Sequence, residues 1–146
     1  MTDSIPDIEN IGKYRVIREL GRGATSAVYL AEDSFNNRSV AIKAMFPDVL
    51  KDAEDGAMYR SMFLNEASLA GKIMHPHIVA IYDAVVDESM SYIVMEYVEG
   101  GTLEKYCEPE HLLDTRIVAE IVFKCVRALA YANTKGLIHR DRKSVV

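Results

Sequence analysis

The sequence is short of cysteine and of basic residues, and each shortage excludes a class of protein. Its two cysteines, Cys107 and Cys125, are too far apart for a Cys-x-x-Cys motif and too few for the disulfide framework of a small secreted domain. The 22 acidic residues outnumber the 17 basic ones, which gives a net charge of -5. A protein that binds nucleic acid without sequence preference needs a basic face, so we expect no nucleic-acid partner.

Long hydrophobic runs are also missing. The most apolar stretch, residues 117–132, is interrupted by Glu120, Lys124 and Arg127, so it is too charged and too short to span a bilayer. Residues 1–7 are polar and acidic, whereas an export signal is basic and then apolar. Because 49% of the 146 residues are hydrophobic, the chain can build a core. We therefore expect a soluble, cytoplasmic protein without a membrane segment.

The order of strand-like and helix-like segments predicts an α+β fold. After a polar lead-in (1–13), short runs rich in β-branched and aromatic residues alternate with turn residues, and an apolar spacing of three or four marks one helix. The predicted strands cover 14–20, 27–32, 39–45, 78–86 and 91–98, and the helix covers 56–73. These elements predict a five-stranded antiparallel sheet with one helix.

A second helix is predicted over residues 112–134. It is apolar on nearly all sides, so its apolar residues cannot share one stripe and the helix is expected to be buried all round.

Two elements of the predicted sheet have the chemistry of a phosphate-binding site. Gly21-Arg22-Gly23 starts the turn between the first two strands, and backbone N–H groups beside glycine can approach a phosphate closely. Such a turn is more often only a turn, and the strand that follows excludes the dinucleotide-binding fingerprint. On the third strand, alternation places Ala41 and Lys43 on one face, where a lysine is either a solvated charge or a phosphate ligand.

With these elements in this order, the sequence resembles the eukaryotic-type (Hanks-type) serine/threonine protein kinases, in their bacterial form. The resemblance implies a kinase small lobe (14–98) and the start of the large lobe (99–146). It places Gly21, Gly23 and Val28 over ATP, gives Lys43 to the α- and β-phosphates, and pairs Lys43 with Glu66. Ser26 stands where many members have a third glycine.

The same resemblance makes residues 92–101 the last strand and hinge of the small lobe. Met95 is then the gatekeeper, and the Glu96 carbonyl and Val98 amide face the adenine. Apolar walls are expected from Leu20, Val28 and Ala41. An ordinary amphipathic core strand is the alternative. His75 and His77 lack a third ligand at a suitable spacing, so a structural role is expected for them.

Residues 136–141 resemble the kinase catalytic loop, which makes Asp141 the base that takes the proton of a substrate hydroxyl. The pattern then fails: Arg142 and Val146 stand where the family has an apolar residue and a metal-binding asparagine, while Lys143 matches serine/threonine kinases. The magnesium ligands of a complete homologue are missing, so we expect negligible activity from this chain alone. A frameshift, an early stop and a cut piece of a longer chain all fit this ending.

Two other functions stay open beside the kinase hypothesis. The chain could serve as a non-catalytic module that binds nucleotide or docks on a partner through an exposed helix at 112–134, where the rest of a large lobe is missing. A decayed gene product without function is the third possibility.

Overall fold

The structure is a computed structural model that describes residues 8–52, 55–71, 73–86 and 90–137. Six strands and three α-helices form in this part of the chain, together with two short 3-10 turns at Leu103–Tyr106 and Pro109–His111. The strands are β1 (Asn10–Ile11), β2 (Tyr14–Arg22), β3 (Ser26–Asp33), β4 (Arg38–Met45), β5 (Ile81–Val86) and β6 (Ser91–Glu96). The helices are α1 (Pro47–Lys51), α2 (Gly56–Ala70) and α3 (Thr115–Thr134).

All strands pair antiparallel in one sheet of order β1-β2-β3-β4-β6-β5. The predicted antiparallel sheet is confirmed, but the predicted count of five strands is one too low. The extra strand is β1, inside the expected lead-in. Ile11 is 3% exposed and joins the core, and Gly12, at φ +56°, makes the tight turn into β2.

Several predicted boundaries move by a few residues. Helix α2 ends at Ala70 rather than at residue 73, and β5 begins at Ile81 rather than at 78. Helix α3 begins at Thr115 rather than at 112, because the Asp114 side chain caps it by accepting a hydrogen bond of 2.8 Å from the Arg116 amide. The alternation and spacing in the sequence mark the middles of these elements better than their ends.

One face of the sheet holds the main core. Alternate residues of β3 and β4 point to it, including Ala27, Tyr29, Val40 and Ile42, and their exposure is between 0 and 6%. This strict period of two is what a half-buried antiparallel strand requires.

Helix α2 packs against the opposite face through Phe63 and Ala67, which contact a cluster that includes Ile93 of β6. The methionines that helped to predict this helix point elsewhere, since Met58 is 50% and Met62 is 61% exposed. The buried stripe lies about 100° further around the helix axis, one residue along the chain.

The sheet curls until β2 and β5 come close. The Tyr14 hydroxyl donates a hydrogen bond of 3.2 Å to Asp83, and the Tyr14 ring meets Tyr92 edge-on at 6.4 Å. Burial, together with the nearby Asp83 charge and hydrogen bond, raises the pKa of Tyr14 to about 12.

The raised pKa of Tyr14 predicts a loss of stability at high pH. Between pH 10 and 12 the unfolded chain loses this proton first, so the free energy of unfolding falls as pH rises, by about 2 kcal/mol at pH 12. Urea denaturation of wild type and Tyr14→Phe at pH 8 and pH 11.5 checks this. The free energy of unfolding of wild type, relative to that of Tyr14→Phe, should be lower at pH 11.5 than at pH 8. An unchanged difference would show that Tyr14 ionises normally in the folded protein.

The described residues fall into two compact units: 8–71 with 80–97, and 73–79 with 98–137. The segment 73–79 groups with the second unit although the sequence analysis placed it in the small lobe, and the predicted domain limits stay a prediction. In the second unit, Ala128 and Ala132 of α3 are buried. This helix is not buried all round in this chain but has the exposed apolar surface that the docking alternative expected. Its large apolar side chains are 43 to 62% exposed: Ile117, Val118, Val122, Phe123, Val126 and Leu129.

No helix in the described ranges is both long and apolar enough to cross a membrane.

Candidate nucleotide site

The turn between β2 and β3 is here called the glycine hairpin (Gly21–Ser26), and few atoms lie close to the backbone of its two glycines. The Gly23 amide donates a hydrogen bond of 2.8 Å to the Ser26 carbonyl, which closes the turn. A Cβ atom on Gly21 would meet nothing within 4 Å, and one on Gly23 would meet only the Ser26 carbonyl, at 3.6 Å. Packing within the described chain therefore does not require glycine at 21, and the missing side chain leaves the backbone accessible to a ligand.

The strand register brings the predicted phosphate-binding residues to one face. Gly21 pairs with Val28, and Val28 pairs with Lys43. Directly paired residues of antiparallel strands turn their side chains to the same side. Val28 and Lys43 thus share a face beneath the glycine hairpin, as the sequence analysis expected for the lysine.

A second row of the register extends this face toward the hinge. Leu30 pairs with Ala41, and Ala41 pairs with Met95. Ala41 and Met95 are among the residues predicted from the sequence. Leu30 is not, although it stands two residues after Val28 and alternation alone predicts that it shares this face. Leu20 lies at a register shift of β2 and is 36% exposed.

This face is less covered than the core face. Val28, Leu30 and Lys43 are half-buried and Ala41 is 7% exposed, whereas the buried residues of the core face are exposed by 6% or less: Ala27, Tyr29, Val40 and Ile42. An apolar floor that is partly open, with a lysine on the same face, has the composition of a site for an aromatic ring that carries phosphates.

Helix α2 packs on this same face through Phe63 and Ala67, and it contains Glu66. The Glu66 side chain lies outside the described part of the structure, so its pairing with Lys43 stays a prediction.

The hinge residues are held by the neighbouring strand segment. The Glu96 amide donates to the Ala80 carbonyl at 2.8 Å, and the Ala80 amide donates to a Glu96 carboxylate oxygen at 3.2 Å. Val98 belongs to the second unit and is 63% exposed. The roles of the Glu96 carbonyl and the Val98 amide toward adenine stay predictions.

Comparison with known proteins decides the family. The family model described as the protein kinase domain matches residues 14–145. The chain belongs to the protein kinase family. The resemblance drawn from the glycine hairpin, the lysine and the hinge is thereby confirmed.

Bacterial serine/threonine kinases are among the relatives of this kinase chain. It is 39% identical over 132 residues to the serine/threonine-protein kinase PrkC of Bacillus subtilis, and 40% identical over 132 residues to a probable serine/threonine-protein kinase PknB of Lactococcus lactis. Each alignment covers 90% of this chain and 20% of the relative. The kinase chain spans about a fifth of the length of these relatives.

The fold is confirmed by solved kinase structures. The crystal structure of the PknI kinase domain of Mycobacterium tuberculosis matches with a TM-score of 0.72 and 30% sequence identity. The match covers 95% of this chain and 55% of that structure.

The predicted catalytic residues of the kinase, Asp141 and Lys143, lie outside the described residues, and their roles stay predictions. The histidines are held within their own unit: the His75 Nδ1 accepts a hydrogen bond of 3.1 Å from the His77 amide, and the His75 ring lies 5.2 Å from the Tyr131 ring. In the ranges that the structure describes, no group of three or more His, Cys, Asp or Glu side chains is placed to hold a metal ion.

Proposed function

We propose that this chain binds ATP on the open face of its first unit and is the ATP-binding part of a cytoplasmic serine/threonine protein kinase. The observation that carries the proposal is the register that aligns Gly21, Val28 and Lys43 on a partly open face beneath the glycine hairpin. The cytoplasmic location is supported by Cys107 and Cys125, which are both exposed and unpaired.

Each part of the nucleotide has a proposed partner. The amides of the glycine hairpin and the Lys43 ammonium bind the phosphates, since both present positive charge to an anion. The adenine ring packs against the apolar side chains of Leu20, Val28, Ala41 and Met95. The Glu96 carbonyl and the Val98 amide bind its edge, and Glu66 orients Lys43.

The reaction class follows from the family and from Asp141. In a complete homologue, bound magnesium would supply positive charge that offsets the charge of the phosphates. Asp141 accepts the proton of a serine or threonine hydroxyl of a protein substrate as that oxygen attacks the γ-phosphorus and ADP leaves, and Lys143 is the second proposed catalytic residue. We expect negligible phosphoryl transfer from this chain alone, because its sequence departs from the family at Arg142 and Val146.

Titration of the purified chain with ATP, with and without magnesium, tests the proposed site by calorimetry. Saturable binding that adenosine competes for is the expected result, because the apolar face and hinge bind the base. No saturable heat up to millimolar ATP, from a chain whose far-ultraviolet circular dichroism shows it to be folded, would overturn the proposal.

A second function, association through helix α3, is favoured by the exposure of its apolar side chains. Val122 is 53% and Val126 is 56% exposed, and they lie one turn apart on the same helix face. We expect the chain to self-associate at micromolar concentration and Val122→Glu/Val126→Glu to be a monomer in sedimentation velocity. A monomeric wild type would exclude self-association by this face.

A further inference from the structure

The glycine hairpin is also contacted on its other face, away from Lys43. The Arg22 guanidinium donates two hydrogen bonds to the Glu19 carboxylate, from Nε to Oε1 at 3.1 Å and from Nη2 to Oε2 at 2.7 Å. Arg22 Cζ also lies 5.0 Å from the centroid of the Phe46 ring. The one side chain between Gly21 and Gly23 is therefore held by an acid and an aromatic ring at once.

A bulge in β2 makes this arrangement possible. Residues three apart on a regular strand point to opposite faces, so Glu19 and Arg22 would not meet. The register shifts by one residue between Glu19 and Gly21, so that Glu19 pairs with Tyr29 and Arg22 pairs with Ala27. Tyr29 and Ala27 both point into the core, which places Glu19 and Arg22 together on the core side of the hairpin.

Phe46 connects the Glu19–Arg22 pair to the hydrophobic core. Its ring packs against the core cluster, and its amide donates a hydrogen bond of 3.0 Å to the carbonyl of Thr25 near the hairpin tip. Phe46 thus contacts the hairpin at two points, through Arg22 and through Thr25. A hairpin with two glycines is costly to order, because glycine loses the most conformational freedom when it is fixed.

We propose that Glu19, Arg22 and Phe46 form a clamp that holds the glycine hairpin in its nucleotide-binding position and so strengthens ATP binding without contacting ATP. The inference rests on the proposed ATP site. By ordering the hairpin before the ligand arrives, the clamp lowers the entropy cost of binding. Its residues are positioning residues: they lie on the face opposite Lys43 and act through the backbone of residues 21–23.

Matched charge-removing variants test the clamp. Glu19→Gln and Arg22→Gln each break the bidentate pair while keeping much of the side chain's size. Glu32→Gln is the control, because Glu32 accepts from Arg15 in an exposed ion pair between the same two strands, away from the hairpin. Binding of a fluorescent N-methylanthraniloyl ATP analogue with magnesium, its dissociation rate, and hydrogen exchange of the Gly23 amide without nucleotide are measured on each full chain.

We expect Glu19→Gln and Arg22→Gln to lower the affinity for the analogue by about threefold to tenfold, through faster dissociation. The effect is moderate because partly exposed ion pairs and cation–π contacts each contribute a small free energy. Both variants should also speed exchange of the Gly23 amide, while Glu32→Gln changes neither quantity. Phe46→Leu keeps apolar packing but loses the aromatic ring. It should weaken binding of the analogue by an amount near the lower end of the same range.

Three results would overturn the clamp. The first is affinity and exchange in Glu19→Gln and Arg22→Gln that equal those of wild type. The second is faster exchange with unchanged affinity, which would separate hairpin order from nucleotide binding. The third is a weakening shared equally by Glu32→Gln, which would be a general effect of lost stability. If wild type binds no nucleotide, the proposed ATP site fails, and the Gly23 exchange rates still decide whether the clamp orders the hairpin.

Discussion

Replacing Lys43 by alanine is expected to weaken ATP binding by about tenfold to a hundredfold and to leave adenosine binding unchanged. Lys43 lies on the open face in register with Val28 and the glycine hairpin. Its ammonium is therefore expected to bind the phosphates and not the base. A charge-assisted hydrogen bond contributes about 1.5–3 kcal/mol, and each 1.4 kcal/mol is a factor of ten in affinity. Calorimetric titration of both ligands into both proteins measures the difference.

Lys51→Ala is the matched control for the charge. Lys51 ends helix α1 and is exposed, so Lys51→Ala removes one positive charge, as Lys43→Ala does, at a position outside the strands of the open face. ATP affinity should stay within about twofold of wild type, since a solvent-exposed charge that does not contact the ligand is screened by salt. Equal weakening by both variants would mean that Lys43 acts through the overall field rather than by contact with phosphate.

Replacing Gly12 by alanine is expected to lower the free energy of unfolding by about 2–4 kcal/mol. The residue has φ +56°, a conformation that L side chains rarely adopt, and an added Cβ would overlap the hydroxyl of Tyr92. Tyr92 is 6% exposed within the core, so it cannot move aside freely. Urea denaturation followed by circular dichroism measures the change.

Two further variants separate backbone strain from steric overlap. Gly136 has φ +79° with nothing within 4 Å of an added Cβ, so Gly136→Ala carries the backbone strain alone, about 1 kcal/mol. In a Tyr92→Phe background the overlapping oxygen is gone, and Gly12→Ala should cost less than in wild type. If the cost of Gly12→Ala is the same in both backgrounds, overlap with the hydroxyl contributes nothing.

Local patterns in the sequence were enough to predict the family and most of the elements. Glycine, lysine, helix glutamate and hinge occur in the kinase order, and alternation in 27–32 and 39–45 correctly predicted β3 and β4. The shared face of Ala41 and Lys43 also followed from alternation, because a strand has a side-chain period of two whatever it pairs with. These features depend on neighbours in the chain, which the sequence contains directly.

Pairing between distant segments could not be predicted in the same way. Asn10–Ile11 has no strand pattern of its own, and it becomes a strand because Ile11 finds the core. On α2 two apolar stripes lie side by side, and the sheet surface decides that Phe63 packs while Met58 and Met62 remain exposed. Choices of this kind depend on which surfaces meet in space.

The glycine hairpin shows both contributions at one place. The sequence by itself determined that two glycines precede a strand and that a lysine follows on the next strand, which is enough to predict a kinase-like phosphate site. Only the tertiary structure decided that Glu19 and Arg22 share a face and meet Phe46, because one extra residue in β2 reverses the alternation that the sequence alone predicts. A bulge depends on the hydrogen-bond register between two strands, and no periodicity within a single strand determines it.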